Sequence, residues 1–238
     1  RHEELADAVP APTVLGWSPD HGVIVLQALP GRTLRDALFG GFGLPTPESV
    51  VQVLDDLPPV EVADAAAPDW RAAEFAGMIS ATVPALADRL DTLVTGLAPY
   101  ERKAAAEPVV AVHGDYYESQ LLVDGGAITG LLDVDTFGSG RRVDDLATMI
   151  GHLSVLAVEA PQGERIRAYA ERLVQRFDTL VEPALLRAAV GGVVLGLATG
   201  SFRVQDDGWQ HHTERRVALA EEWLASADRL VVGFALSS

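Results

Sequence analysis

The chain has 238 residues, 48% of them hydrophobic, with a mean hydropathy of +0.17, which excludes a disordered protein and is enough for one large domain or one domain with part of another. Eighteen Lys and Arg against 34 Asp and Glu leave a net charge of −16, which argues against nucleic-acid backbones and anionic membrane surfaces as partners. The charge would suit a cationic substrate, but with no dense acidic run it reads first as a solubility trait. Cysteine is absent, so there is neither a disulfide nor a thiolate zinc site. No secretory signal opens the chain. The uncharged run Ala188 to Phe202 falls short of the roughly 18–20 residues that span a bilayer, so a buried helix and a cytoplasmic protein are expected.

In chain order, Ala6 to Leu29 alternates short β-like runs with the turn residues Pro10, Pro12, Gly16, Pro19 and Gly22, predicting two strands and a hinge around Gln27 to Leu29. From Thr33 the pattern turns helical, with Leu34 and Leu38 four apart. A Gly- and Pro-rich loop follows from Gly40 to Pro47, and Thr46-Pro47 is an N-cap and first-turn pair for the next helix. A proline- and acid-rich loop runs from Asp55 to Asp69. Phe75, Ile79, Leu86, Leu90, Leu93 and Leu97 recur near helical spacing and predict a long helix with one buried face, kinked or divided at Pro84. Beyond a β-like region from Val109, the stretches Arg165 to Phe177, Pro183 to Val204 and His212 to Leu230 read as three helices with short links. The expected architecture is a strand-poor helical lobe with a hairpin inserted near its middle.

That hairpin carries the chemistry. Asp124-Gly125-Gly126 separates two apolar runs, a strong local turn signal, so Gln120 and Asp133 should stand at the same open end. The strand Val109 to Val112 delivers His113-Gly114-Asp115 close to that end. Three oxygen-bearing side chains would converge, and such ligands suit Mg²⁺, whose shell is completed by water and substrate phosphates. In phosphoryl transfer the protein mainly positions a hydroxyl while metal neutralises phosphate charge. Asp115 is then expected to accept or orient the hydroxyl proton, with Gln120 and Asp133 holding the metal. His113 could be a ligand or base, though loop-shaping hydrogen bonds are the better reading. Asp135 is a second ligand, a substrate-orienting carboxylate or a solvated acid. Glu118, beside Tyr116 and Tyr117, either meets a cationic group of the substrate or is an exposed loop acid. His211 and His212, adjacent on a helix, point apart and read as surface or helix-start residues.

The ordered set His113-Gly114-Asp115, Gln120, Leu131-Leu132-Asp133-Val134-Asp135, Gly138, Gly140 and Asp145-Leu146-Ala147 resembles the aminoglycoside phosphotransferase and choline kinase-like family, small-molecule kinases of the protein-kinase-like fold. Upstream, Val9 to Trp17, Val23 to Leu26 and Leu29 to Leu34 are similar to the end of that family's nucleotide lobe and its hinge. The resemblance implies an α+β protein: residues 1–30 as the end of the nucleotide lobe, and 31–238 as the helical lobe with catalytic loop and substrate site. It implies Asp115 as catalytic base, Gln120 and Asp133 as Mg²⁺ ligands, and Asp145 with His113 as structural support of the loop. Gln27, Leu29, Leu122 and Leu132 would contact ATP or GTP. The acceptor would be a small hydroxylated molecule: an aminoglycoside or other antibiotic, a sugar, or an amino-alcohol.

Three departures accompany the resemblance. Gln120 stands where most members have Asn, although the maltokinase-like branch also has Gln there, and Arg141-Arg142 replaces a usual Asp-Pro. Nothing before Val9 supplies the small-lobe strands or the phosphate-binding lysine, and Lys103, the one lysine, lies just before the catalytic strand. Most of the nucleotide lobe is therefore expected to be missing, with Glu3 or Glu4 as a candidate partner of the absent lysine. A non-catalytic ligand-binding or regulatory remnant is the alternative, and a metal-dependent phosphohydrolase using His113, Asp115, Asp133 and Asp135 a third reading.

Overall fold

The computed structural model describes residues 5–60 and 70–235. Glu3, Glu4 and the end of the acid-rich loop at residues 61–69 lie outside the described residues. The protein is α+β and mostly helical. Two strands, β1 (Val14–Ser18) and β2 (Val23–Leu26), form an antiparallel hairpin. Its side chains are largely in solvent, Trp17 at 72% exposure. Gln27 N–H donates to the Thr13 carbonyl at 2.9 Å and closes its base. The chain then enters a short strand, β3 (Arg32–Thr33), and the helix α1 (Leu34–Gly40), whose N-cap Thr33 accepts from Asp36 N–H.

Thr46 caps α2 (Pro47–Asp55) by accepting from Ser49 N–H, with Pro47 in the first turn where its missing donor costs nothing. The long apolar run divides into α3 (Ala72–Thr82) and α4 (Ala87–Ala104), separated by a 3₁₀ turn beginning at Pro84. Proline disfavours helical backbone in the residue before it, and Val83 accordingly leaves the helix at φ −132°, ψ 76°. Pro84 is thus a boundary, with Ile79, Leu90, Leu93 and Leu97 buried on one side.

Strand β4 (Val109–Val112) pairs antiparallel with β7 (Gly138–Arg141). Between them in sequence lie β5 (Leu121–Asp124) and β6 (Ala127–Leu131), a hairpin to which β3 adds as a third strand. The remaining helices are α5 (Arg142–Glu159), α6 (Gly163–Phe177), α7 (Pro183–Leu197), α8 (Gly200–Arg203) and α9 (Trp209–Ala235). α9 is longer at both ends than its apolar spacing suggests. α5 and α7 form the centre of the core, where Leu146, Ile150, Leu153, Leu185, Val190 and Val194 are fully buried, and α9 adds Val217, Ala220 and Ala227. The run Pro183–Arg203 reaches 21 residues, so it is long and apolar enough to cross a membrane, a correction to the shorter estimate; 67% of its most apolar window is buried inside the protein.

Candidate active site

The β5–β6 turn places Gly125 at φ 55° and Gly126 at φ 89°, the paired left-handed conformations that match the twist of a two-residue hairpin. Leu121 lies opposite Leu131, and just beyond them Leu132 N–H donates to the Gln120 carbonyl at 2.8 Å. Gln120 and Asp133 therefore leave the sheet together. Gln120 Nε2 stands 3.2 Å from Asp133 Oδ2 and 3.5 Å from Asp115 Oδ2, so one buried amide bridges two carboxylates. Asp133 sits at φ 52°, a region that costs a non-glycine residue roughly 1–2 kcal/mol and is best tolerated by short polar side chains. The backbone here is strained where the carboxylate is presented.

Asp115 reaches this point through a tightly bound loop. His113 is fully buried; its Nδ1 accepts from Asp115 N–H at 3.3 Å and its Nε2 faces the Leu132 carbonyl at 2.9 Å. Asp145, in the first turn of α5, accepts from His113 N–H at 2.7 Å and Gly114 N–H at 2.9 Å. Thr136 Oγ1 donates to the His113 carbonyl at 2.8 Å. Gly114 has φ 86°, and a Cβ there would stand 2.8 Å from the Thr136 carbonyl oxygen, so a side chain meets both strain and collision.

Burial pushes the Asp145 carboxyl up to about 6, opposed by the two backbone donors and by His113 and Arg142. Burial also raises Asp115, with the Gln120 hydrogen bond and His113 pulling it down and the Asp133 charge raising it further. Among the described residues no group of three or more His, Cys, Asp or Glu side chains gathers as a metal site. The donor set is instead two carboxylates and an amide. A half-turn of the Gln120 amide would put its oxygen where its nitrogen now bridges the carboxylates, giving an all-oxygen set that fits a hard cation such as Mg²⁺.

Other sequence candidates fall elsewhere. Glu118 is 1% exposed and turned toward α1, with Oε1 3.6 Å from Arg35 and Oε2 without a hydrogen-bond partner among the described residues. It is not the expected exposed loop acid, because Arg35 N–H also donates to its carbonyl and draws that segment inward. Asp135 is exposed on the 3₁₀ turn Val134–Thr136. Leu29 and Leu122 close over Gly130, each with a methyl 2.9 Å from where its Cβ would lie, and Leu132 follows two residues along the chain. Gln27 is exposed, its Oε1 accepting from Thr13 Oγ1 at 2.7 Å. Tyr116 is buried, its hydroxyl donating to the Val50 carbonyl at 2.7 Å.

A cavity of about 500 Å³ opens beside Asp115, with Trp70, Phe75, Asp144 and His152 among its lining. Sequence reading missed these four. Trp70 follows the proline- and acid-rich loop without a motif of its own, and Phe75 looked like core; only the Asp144-Asp145 pair at a helix start gave a local signal. A slightly larger cavity of about 560 Å³, among α5, α6, α7 and α9, contains none of the acidic set.

Tyr117 stacks on His152 with ring centroids 4.1 Å apart. Burial, with Arg35 and Arg216 nearby, pushes the His152 imidazole down to about 4 from 6.5. A folded-state value below the unfolded one means stability fully present above pH 6.5 and lost as pH falls through about 4, with a ceiling of about 3 kcal/mol. His152→Phe keeps an aromatic partner for Tyr117 and should flatten that acid limb. Urea midpoints at pH 4.5 and 7.5 for both proteins test this; an equal acid loss in the variant would show that His152 does not contribute.

The fold defines the class. Solved structures that share it include a thermostable mutant of aminoglycoside phosphotransferase APH(4)-Ia in a ternary complex with ADP and hygromycin B, 15% identical with a TM-score of 0.63 over 91% of this chain and 78% of that one. A choline/ethanolamine kinase family protein from Mesorhizobium loti is 17% identical with a TM-score of 0.60, over 95% of this chain and 80% of that one. Aminoglycoside phosphotransferase APH(3'')-Id from Streptomyces rimosus ATCC10970, in complex with ADP and streptomycin, is 17% identical with a TM-score of 0.53, over 82% and 79%. These are protein-kinase-like folds. Residues 2–180 match the profile of the phosphotransferase enzyme family, and the chain belongs to that family. It is by family a small-molecule kinase. No curated protein matches the chain significantly.

Proposed function

We propose that this protein transfers the γ-phosphate of ATP or GTP to a hydroxyl of a small molecule seated in the cavity beside Asp115. The observation that carries the reading is the convergence of Asp115, Gln120 and Asp133 at one end of a hairpin, next to a cavity large enough for a substrate. Asp115 accepts the acceptor's hydroxyl proton as its oxygen attacks phosphorus, and the elevated carboxyl brings it closer to the strength a base needs near neutrality. Mg²⁺, held by Gln120 and Asp133, would supply neutralisation of the nucleotide's phosphate charge. His113 and Asp145 fix the loop so that Asp115 keeps its aim. Leu29, Leu122 and Leu132 offer an apolar surface to the base, with the backbone from Gln27 to Leu29 beside it. On this reading residues 1–30 belong to the nucleotide side, residues 31–238 form the acceptor lobe, and the enzyme works in the cytoplasm.

A non-catalytic ligand-binding protein is the alternative reading. Lys103, the one lysine, is ion-paired with Glu182 at 2.9 Å, at the start of α7, and is not among the groups that gather around Asp115. The two readings separate in one assay. Purified protein with ATP or GTP, Mg²⁺ and a panel of hydroxylated antibiotics, sugars and amino-alcohols should release ADP or GDP in an acceptor-dependent way that EDTA abolishes. Acceptor binding without any nucleoside diphosphate release would decide for the binding protein. Phosphoester hydrolysis without nucleotide would decide for a hydrolase.

A further inference from the structure

One wall of the cavity beside Asp115 is set by two glycines of α7. Gly192 and Gly196 lie a turn apart, and the rings of Trp70 and Phe75 pack into the space their side chains would fill. A Cβ at Gly192 would stand 3.3 Å from Trp70 Cε3, and one at Gly196 3.0 Å from Phe75 Cε2. Trp70 is held at two further points: its backbone N–H donates to Glu101 Oε1 at 2.8 Å and its indole N–H to Asp144 Oδ1 at 3.4 Å. The result is an aromatic shelf on the cavity that Asp115 also lines.

Charge in this cavity is sparse among the described residues. Asp144 is the one lining carboxylate besides Asp115, and part of its acceptor capacity goes to Trp70. Arg71 lines it too, ion-paired with Glu74 and lying over the Phe75 ring at 5.2 Å. His152 is kept neutral by burial. Among the described lining residues a molecule with several ammonium groups meets aromatic rings, an arginine and one carboxylate besides Asp115, and desolvating each charge against them is a costly exchange. A ring with an apolar face gains contact area on such a shelf, and one ammonium gains further from the ring faces and from Asp144.

We infer that the acceptor is a hydroxylated molecule with at most one positive charge and an apolar ring face, which lies on the Trp70–Phe75 shelf while Asp144 receives its one polar or cationic group. This assignment of substrate class rests on the phosphotransferase reading of the same cavity. It separates the protein from acceptors such as hygromycin B and streptomycin, which the two antibiotic-bound neighbours carry.

The test compares three probes on the full chain with Mg²⁺ and ATP or GTP: an uncharged aryl glucoside, an aryl amino-alcohol with one amine, and streptomycin. The first two should exceed streptomycin in kcat/KM by at least about tenfold. Trp70→Ala should raise KM for them about tenfold, with the loss in KM rather than kcat, and Trp70→Phe should recover most of it. Asp144→Asn should weaken the singly charged probe more than the uncharged one. Thermal melts identify any variant that fails to fold, and Trp70→Phe keeps the shelf testable in that case. Preference for streptomycin, or an unchanged KM in folded Trp70→Ala, overturns the inference while leaving phosphoryl transfer standing. If no probe is phosphorylated, the kinetic arm bears on phosphoryl transfer to these acceptors and not on the shelf. Calorimetric binding of the same probes without nucleotide then decides: tenfold weaker binding to Trp70→Ala supports the shelf, and equal binding overturns it.

Discussion

Asp115→Asn is expected to lower kcat by about 10²–10⁴-fold, the range that a positioned general base contributes, or roughly 3–5 kcal/mol of transition-state stabilisation. The melting temperature should not fall. The loop that carries Asp115 is held by groups other than its side chain: Asp145 takes the N–H groups of His113 and Gly114, Thr136 binds the His113 carbonyl, and His113 binds the Asp115 backbone. Among the described residues the carboxylate itself makes one long hydrogen bond, 3.5 Å to Gln120. Asparagine preserves shape and can still bond Gln120, yet it cannot take a proton. It also removes a negative charge beside Asp133, which relieves rather than adds repulsion. Steady-state kinetics with a turned-over acceptor, paired with a thermal melt, measure both halves. A kcat within about tenfold of wild type would exclude Asp115 as the base.

The parts of this site that were legible in the sequence depend on short-range chemistry. The Asp124-Gly125-Gly126 turn fixes the hairpin through backbone conformation alone, and the hairpin's register then brings Gln120 and Asp133 together. Thr46 and Pro84 acted on the residues next to them, so the start of α2 and the break between α3 and α4 could also be anticipated. Glu118 was misjudged because its surroundings come from α1, far upstream, and no local pattern encodes the approach of Arg35. The cavity wall is similar: the rings of Trp70 and Phe75 need the bare backbone of Gly192 and Gly196, a match between α7 and the segment around the start of α3, distant in sequence. The break between α7 and α8 had no proline to announce it. There Thr199 Oγ1 donates to the Gly196 carbonyl at 2.8 Å, a side-chain bond that competes with the helical ladder. Asp144 was readable in principle, since neighbours on a helix point about 100° apart. With Asp145 turned to the loop, Asp144 was free to face the cavity.

Asp145→Ala should damage both stability and catalysis, which distinguishes it from Asp115→Asn. Removing the carboxylate leaves His113 N–H and Gly114 N–H without their acceptor, and hydrogen bonds to a charged group contribute about 1.5–3 kcal/mol each. Part of that gain is offset in the wild type, because the fully buried carboxyl has been pushed up to about 6 and its ionisation is costly. The expected net loss is about 2–4 kcal/mol. Asp145→Asn should fall between, since its amide can accept one backbone N–H but sets its own N–H against the other. The catalytic loss should reach about 10²-fold, the cost of an ångström-scale displacement of the base. Since Asp145 acts through the position of Asp115, the double variant should lose far less activity than the product of the two single losses. Urea unfolding and kcat on both single variants and the double measure this. Independent, multiplying losses would mean that Asp145 serves catalysis by a route other than the loop it binds.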